Sequence, residues 1–237
     1  MGETPAFLRL EDPALASRHL TDIELRGLVF NNEFLDFLRC PAFQGLKIKD
    51  CSFMHAERIS SLSLKRLNII RAMFNESSRT RIHAPNLASL ELLVTGGRIP
   101  ILQSMPLLVL ADVAIAASCD CCSRSNNGDC GNENCTGCIP NFTSSVLLHG
   151  MSQAKSLEFG AGTEMFIFRR DLKCCPTFSR LKTLKLTEHY VHALSYILKY
   201  SPVLESLKLY LLVFDKVNSF VSKWITVALY NFMLIVC

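Results

Sequence analysis

The sequence lacks the short motifs that mark the common catalytic sites. It has no glycine-rich loop of the kind that cradles phosphate groups, and no serine stands in a nucleophile elbow. His189 and His192 lie three residues apart, but the glutamate of the H-E-x-x-H zinc motif and a third ligand are missing. We interpret this pair as the solvent-facing start of a helix. No catalytic residue is predicted, and the chain is not expected to be an enzyme.

Strong charge of either sign is also missing. Charged residues make up 19% of the chain, and 25 basic against 21 acidic residues leave a net charge of +4. This charged share lies below the value of about a quarter that is typical of soluble proteins. No basic stripe or arginine-rich run occurs, so a nucleic-acid partner is not expected.

Neither a secretory signal nor a long apolar span is recognisable. Residues 1–7 lack a basic start followed by an apolar run, so the 11 cysteines are expected as thiols in the cytoplasm or nucleus. Residues 224–237 are uncharged and mostly apolar, but a bilayer span needs about 20 such residues. A membrane partner is not expected. The segment is predicted to be a final buried helix or strand, or an end whose covering partner is missing.

One phrase recurs along the chain: Leu-x-x-Leu-x-Leu, in which other apolar residues can replace leucine. Two pairs of copies begin 23 residues apart, at Leu20 and Phe43 and at Leu181 and Leu204, within the usual leucine-rich-repeat length of about 20–29 residues. Other spacings are irregular, and the step from Leu87 to Ala154 must hold a further repeat and an insert. The seven copies occupy residues 20–25, 43–48, 59–64, 87–92, 154–159, 181–186 and 204–209.

The frame predicts both a fold and a binding face. In a strand, the two apolar residues of Leu-x-Leu point to one side and the polar residue between them points to the other. Stacked units bury each other's apolar sides, so the predicted fold is an α/β leucine-rich-repeat solenoid with a curved parallel sheet and short helices on its convex side. The polar residues then line the concave side, where a protein substrate is expected to dock. These predicted partner-binding residues are Glu24, Lys47, Glu91, Glu158, Lys185 and Lys208.

The predicted organisation follows from the repeats. An N-terminal edge segment covers residues 1–17, and the apolar tail covers residues 213–237. Leucine-rich repeats fill residues 18–117 and 141–212. Residues 118–140 break the pattern, since they hold six cysteines and almost no apolar side chains. This Cys-rich insert is predicted to be a loop that leaves the solenoid.

Two interpretations of the insert stay open. Thiolates at this density can wrap one tetrahedral zinc ion, and the most plausible ligands are Cys121, Cys130, Cys135 and Cys138. The spacing differs from that of a two-knuckle zinc site and no histidine joins it, so the alternative is a flexible, thiol-rich loop without a cofactor. Cys51, outside the insert, takes a repeat position where asparagine or cysteine is common and is predicted to be a buried structural thiol.

Several phrases together resemble plant F-box/leucine-rich-repeat proteins of the FBD type. One reads Ile-His-Ala-Pro-Asn-Leu-Ala-Ser-Leu-Glu-Leu at residues 82–92, and another reads Ile-Leu-Lys-Tyr-Ser-Pro-Val-Leu-Glu-Ser-Leu at residues 197–207, like the start of an FBD region. The others lie at residues 105–113, 147–157 and 168–184.

The resemblance implies a non-catalytic adaptor of a cullin-type ubiquitin ligase, whose repeats hold the substrate. An F-box would dock such an adaptor on the linker subunit of the ligase. No F-box helices are recognisable before Leu20, so the linker subunit is expected as a partner only if an F-box exists outside this chain. The alternative is a free-standing scaffold, or a truncated family member, that binds partners without ligase docking.

Overall fold

The structure is a computed structural model. It describes residues 8–10, 16–31, 34–76, 78–115, 145–161, 171–172, 174–187, 191–214 and 220–228. The Cys-rich insert with Cys121, Cys130, Cys135 and Cys138, and also His189, lie outside the described residues.

The main sheet confirms the predicted solenoid. Eight strands lie side by side in chain order, and each pairs in parallel with the next. We term each strand, with the turn that leads into it and the segment that follows it, a coil and number the coils 1 to 8. The strands are β2 (Asp22–Arg26), β5 (Gly45–Lys49), β8 (Arg66–Phe74), β10 (Ser89–Gly96), β12 (Leu110–Ile115), β13 (Ser156–Ala161), β14 (Thr183–Thr187) and β15 (Ser206–Phe214).

Shorter strands extend this sheet beyond a backbone kink. β3 (Leu28–Phe30) pairs with β1 (Leu8–Leu10) and β6 (Ser52–Phe53), and β6 pairs with the far half of β8. Residues of positive φ stand at the kink in three successive coils: Gly27 at 65°, Asp50 at 52° and Arg71 at 53°. Beyond the kink, the rings of Phe30, Phe53 and Phe74 stack with centroids 5.0 and 4.8 Å apart. The kink therefore turns each coil without interrupting its core.

The second side of coils 1 to 4 is a sheet, so the predicted helices are wrong there. It is formed by β4 (Phe34–Asp36), β7 (Arg58–Ser60), β9 (Arg81–His83) and β11 (Ile101–Leu102), which are parallel and in order. Residues 34–38 would form one of the predicted convex-side helices, because four of these five residues are apolar. Their burial instead alternates, with Leu35 and Phe37 inside and Asp36 and Leu38 outside, which is the period of a strand. The one α-helix with assigned bounds among the described residues is α1 (Val191–Lys199), where a helix was predicted.

The repeat frame sets the core, with one correction. The middle and last apolar residues of the frame are buried in coils 2 to 7, and in coil 3 they are Leu67 and Ile69, both 0% exposed. The copy predicted at residues 59–64 is wrong, because Leu62 is 54% exposed and that stretch contains β7. The frame of coil 3 starts at Leu64 instead, which places it 21 residues after Phe43 and 23 before Leu87.

A recurring turn leads each coil into the main sheet. In six coils the N–H of the first frame residue donates to the carbonyl three residues earlier, as Leu87 does to Ala84. In coils 1 and 3 the acceptor three residues earlier is a serine hydroxyl instead, of Ser17 and Ser61. Proline suits the second position of such a turn because its φ is fixed near −65°. Four of the nine prolines stand there, namely Pro41, Pro85, Pro106 and Pro202.

A column of shared carbonyl acceptors ties the coils together after that turn. In seven successive junctions one backbone carbonyl accepts the N–H groups of two consecutive residues of the next coil. Val109 accepts from Lys155 and Ser156 across the insert just as Lys65 accepts from Ala88 and Ser89 between adjacent coils. The acceptors are Thr21, Gln44, Lys65, Ala88, Val109, Lys155 and Lys182.

The array changes direction at its C-terminal end. Strand β16 (Phe220–Ala228) lies antiparallel to β15, with Ser206 opposite Ala228 and Phe214 opposite Phe220. Part of the apolar tail is therefore a strand. No helix among the described residues is long and apolar enough to cross a membrane.

Candidate binding face

The polar residues between the frame leucines form one column across the main sheet. Each is the direct register partner of the next, from β2 to β15. The column contains the six predicted residues and two that the sequence analysis missed, Asn68 and Asp112. In order along the sheet it consists of Glu24, Lys47, Asn68, Glu91, Asp112, Glu158, Lys185 and Lys208.

Two further columns flank this one on the same side of the sheet, because side chains two positions apart along a strand share a face. We term the three columns together the outward face. The column before the polar one holds Asp22, Gly45, Arg66, Ser89, Leu110, Ser156, Thr183 and Ser206. The column after it holds Arg26, Lys49, Ile70, Leu93, Ala114 and Gly160, then Thr187 and Tyr210.

Both carboxylates in coils 1 to 3 of the outward face are paired with basic side chains. Arg66 reaches over Gly45 to Asp22 at 2.8 Å, since a side chain at Gly45 would occupy the place of the Asp22 carboxylate. Glu24 lies 3.8 Å from the Lys47 ammonium and 3.6 Å from that of Lys49. Such exposed pairs contribute little to stability. With Arg26, this end of the face holds four basic residues against two acidic ones, so both of its carboxylates are paired.

The centre of the outward face is acidic. On β10, β12 and β13, the nine positions of the three columns hold Glu91, Asp112 and Glu158 and no basic residue. The amide of Asn68 donates to Glu91, and the Lys185 ammonium donates to Glu158 at 2.8 Å. The carboxylate of Asp112, between the two glutamates, takes part in no ion pair or hydrogen bond within the described part of the chain. Burial, and then the charges of Glu158 and Glu91, raise the pKa of Asp112.

Replacing Asp112 by asparagine is therefore expected to stabilise the protein at pH 7. Like charges directly opposite each other on neighbouring strands are destabilising, by roughly 0.2–1 kcal/mol. Because the pKa of Asp112 is raised in the folded state, the carboxylate weakens the fold as the pH rises through and above that pKa, and the neutral acid does not. The gain should appear in the midpoint of urea unfolding at pH 7 and vanish near pH 3.

Asp22→Asn is the matched control, since the same substitution there removes the carboxylate paired with Arg66. It should lower the urea midpoint slightly at pH 7. If both variants shift the midpoint in the same direction, Asp112 is not under like-charge repulsion.

Cys51 and Cys175 are free thiols. Cys51 is buried as predicted: its sulfur accepts the Leu28 N–H at 3.4 Å and donates to the Lys49 carbonyl at 3.1 Å, and burial raises the pKa of its thiol. Burial and then Asp171 raise the pKa of Cys175 to about 12. Thiols with raised pKa values are poor nucleophiles, so neither suits covalent chemistry. No group of three or more metal-ligating side chains occurs among the residues for which placement is described.

A buried carboxylate that the sequence did not reveal lies on the far side of the insert. Asp171 is 1% exposed, and its carboxylate accepts the N–H groups of Val146, Leu147 and Leu148 at 2.6–2.8 Å and the Ser145 hydroxyl at 2.8 Å. Burial raises the pKa of Asp171, and these donors oppose that rise. Both oxygens are fully engaged, so Asp171 holds the turn that follows the insert.

Comparisons with models of protein families, with curated proteins and with solved structures give no match. The candidate site therefore rests on the geometry of the outward face.

Proposed function

We propose that the protein is a non-catalytic protein-interaction module whose outward face holds a protein partner. The observation that carries this proposal is the unbroken column of eight in-register residues on one side of the main sheet. Stacked repeats make extended surfaces of this kind, which bind through complementary shape and charge. The acidic centre favours a protein over a nucleic acid, since phosphate groups would be repelled there. The free thiols of Cys51 and Cys175 fit a reducing compartment, the cytoplasm or nucleus.

More specifically, we propose that the chain is a leucine-rich-repeat protein with the role of an F-box adaptor. The support is coil 2, where Phe43, Leu46, Ile48, Cys51 and Phe53 give the full pattern Leu-x-x-Leu-x-Leu-x-x-Cys-x-Leu with aromatic or β-branched replacements, and all five are buried. Ligase docking would need an F-box outside this chain. Co-purification with the linker subunit of a cullin-type ligase would support the adaptor, and its absence would favour the alternative, a free-standing scaffold.

Site-specific photo-cross-linking tests the face itself. A photoreactive residue would replace Leu110, which is 51% exposed at the centre of the outward face, and in a second variant Arg81, which is exposed on the other sheet. We expect a discrete protein adduct from position 110 that is lost when Glu91→Lys and Glu158→Lys are added. The Arg81 position is the control and should give none. Equal adducts from both positions, or adducts from position 81 alone, would contradict the proposal.

A further inference from the structure

The centre of the outward face points to one kind of partner. We infer that it binds an extended, Arg- or Lys-rich segment of another protein, which crosses strands β10, β12 and β13. This inference rests on the proposed function and adds the chemistry of the segment that is bound.

The first argument is the contrast between the two parts of the face. In coils 1 to 3 the chain supplies its own counter-charges, as between Arg66 and Asp22 or Lys47 and Glu24. In coils 4 to 6 it supplies none from the outward face, and the nearest cation is Lys185 on the next strand, 2.8 Å from Glu158. Three carboxylates in direct register thus share one cation, so the row keeps a net negative charge that cations from a partner would relieve.

The second argument is the apolar surface beside these carboxylates. The column after Glu91, Asp112 and Glu158 holds Leu93, Ala114 and Gly160, so small and apolar groups lie next to the acidic row. A β-carbon added at Gly160 would lie at ordinary contact distance, 3.7–3.9 Å, from its nearest neighbours Thr187 and Ala114, so this position is not closed off by other groups. Arginine and lysine fit such a surface, because their aliphatic stems pack on apolar groups while their charged ends reach carboxylates.

On the opposite side of the acidic row, Leu110 is 51% exposed between Ser89 and Ser156. It offers an apolar contact to a residue that alternates with the cationic ones. The surface therefore matches a segment that carries both charge and apolar side chains, rather than a simple polycation.

The spacing of the carboxylates fits an extended segment. Neighbouring strands lie about 4.8 Å apart, so the three acidic side chains cover about 10 Å along the sheet. In an extended peptide, alternate side chains on one face are separated by about 6.8 Å. Two cationic residues at positions i and i+2 can therefore bind the row together. One lies between the first and second carboxylates, and the other lies between the second and third.

The test is binding of a fluorescein-labelled nonapeptide of alternating arginine and valine, followed by fluorescence anisotropy. We expect saturable binding that weakens about tenfold in the double variant Glu91→Gln/Glu158→Gln and on raising the salt from low to molar concentration. A peptide with glutamate in place of arginine should not bind. The matched control is Glu57→Gln/Glu76→Gln, which removes the same charge from exposed positions away from the outward face and should change the affinity less than twofold. The urea midpoint of each variant confirms that it is folded.

Three outcomes would overturn the inference. One is no binding of the arginine peptide, and another is equal weakening by both double variants. The third is self-association of the wild type, seen by sedimentation and lost in Glu91→Gln/Glu158→Gln, because the face would then bind a second copy. The cross-linked adduct from position 110 distinguishes failure of this inference from failure of the proposed function. If that adduct persists while the arginine peptide fails to bind, only the inference falls, and if both fail, the proposed function falls too.

Discussion

Replacing Gly97 by alanine should lower the free energy of unfolding by about 3–5 kcal/mol. Gly97 has a φ of +73°, and a β-carbon there would lie 1.8 Å from the carbonyl oxygen of Phe74 and 2.4 Å from its carbon. Those atoms are backbone and cannot rotate away, so coil 3 or coil 4 must shift. The change is measured as the loss of stability in urea and as a lowered melting temperature.

Gly27→Ala separates the steric effect from the backbone strain. Gly27 has a similar φ of +65°, but a β-carbon there would meet nothing within 4 Å. The left-handed backbone conformation is then the only cost of alanine, and the free energy of unfolding should fall by about 1–2 kcal/mol. Equal losses of stability in the two variants would show that the close approach of the added β-carbon to Phe74 does not contribute to the effect at Gly97.

Removing the Asp171 carboxylate should cost at least about 3 kcal/mol, because Asp171→Ala leaves three buried N–H groups without their acceptor, each worth about 1–3 kcal/mol. This is a large part of the 5–15 kcal/mol that stabilises a typical protein. Asp171→Asn retains one acceptor oxygen and should fall between the wild type and the alanine variant. Hydrogen exchange should localise the loss to the amides of Val146, Leu147 and Leu148.

The control for Asp171 is Asp36→Ala. The Asp36 carboxylate also accepts a backbone N–H, from Leu38 at 2.9 Å, but this bond is exposed and water can replace it. The loss should stay below about 1 kcal/mol. If Asp171→Ala is no worse than Asp36→Ala, the four hydrogen bonds of Asp171 do not hold the turn after the insert.

The main sheet was predictable because its signal is local. Two apolar residues around one polar residue define a strand with one buried side, and repetition near 23 residues implies stacking. The same logic found six members of the polar column. It missed Asp112 because alanine replaces the middle leucine of that coil, and it missed Asn68 because the frame had been set at Ile59 instead of Leu64.

The second sheet and the interactions across coils were not predictable in this way. Strands of two or three residues, such as Ile101–Leu102, are too short to show a period, and apolar clusters there resemble those of short helices. Asp22 and Arg66 are 44 residues apart, and Asp171 is 23–26 residues from its four donors. Such pairs depend on how the coils stack, and the exact stacking cannot be derived from a single sequence.

The in-order stacking has a mechanical consequence. The inter-strand hydrogen bonds of both sheets run along the solenoid axis, from each coil to the next. Tension applied along that axis would act on all junctions in series and open the weakest first, so the molecule would lengthen coil after coil instead of resisting as a single block in shear. A partner that spans several coils would tie those junctions together and so stiffen the chain against such a pull.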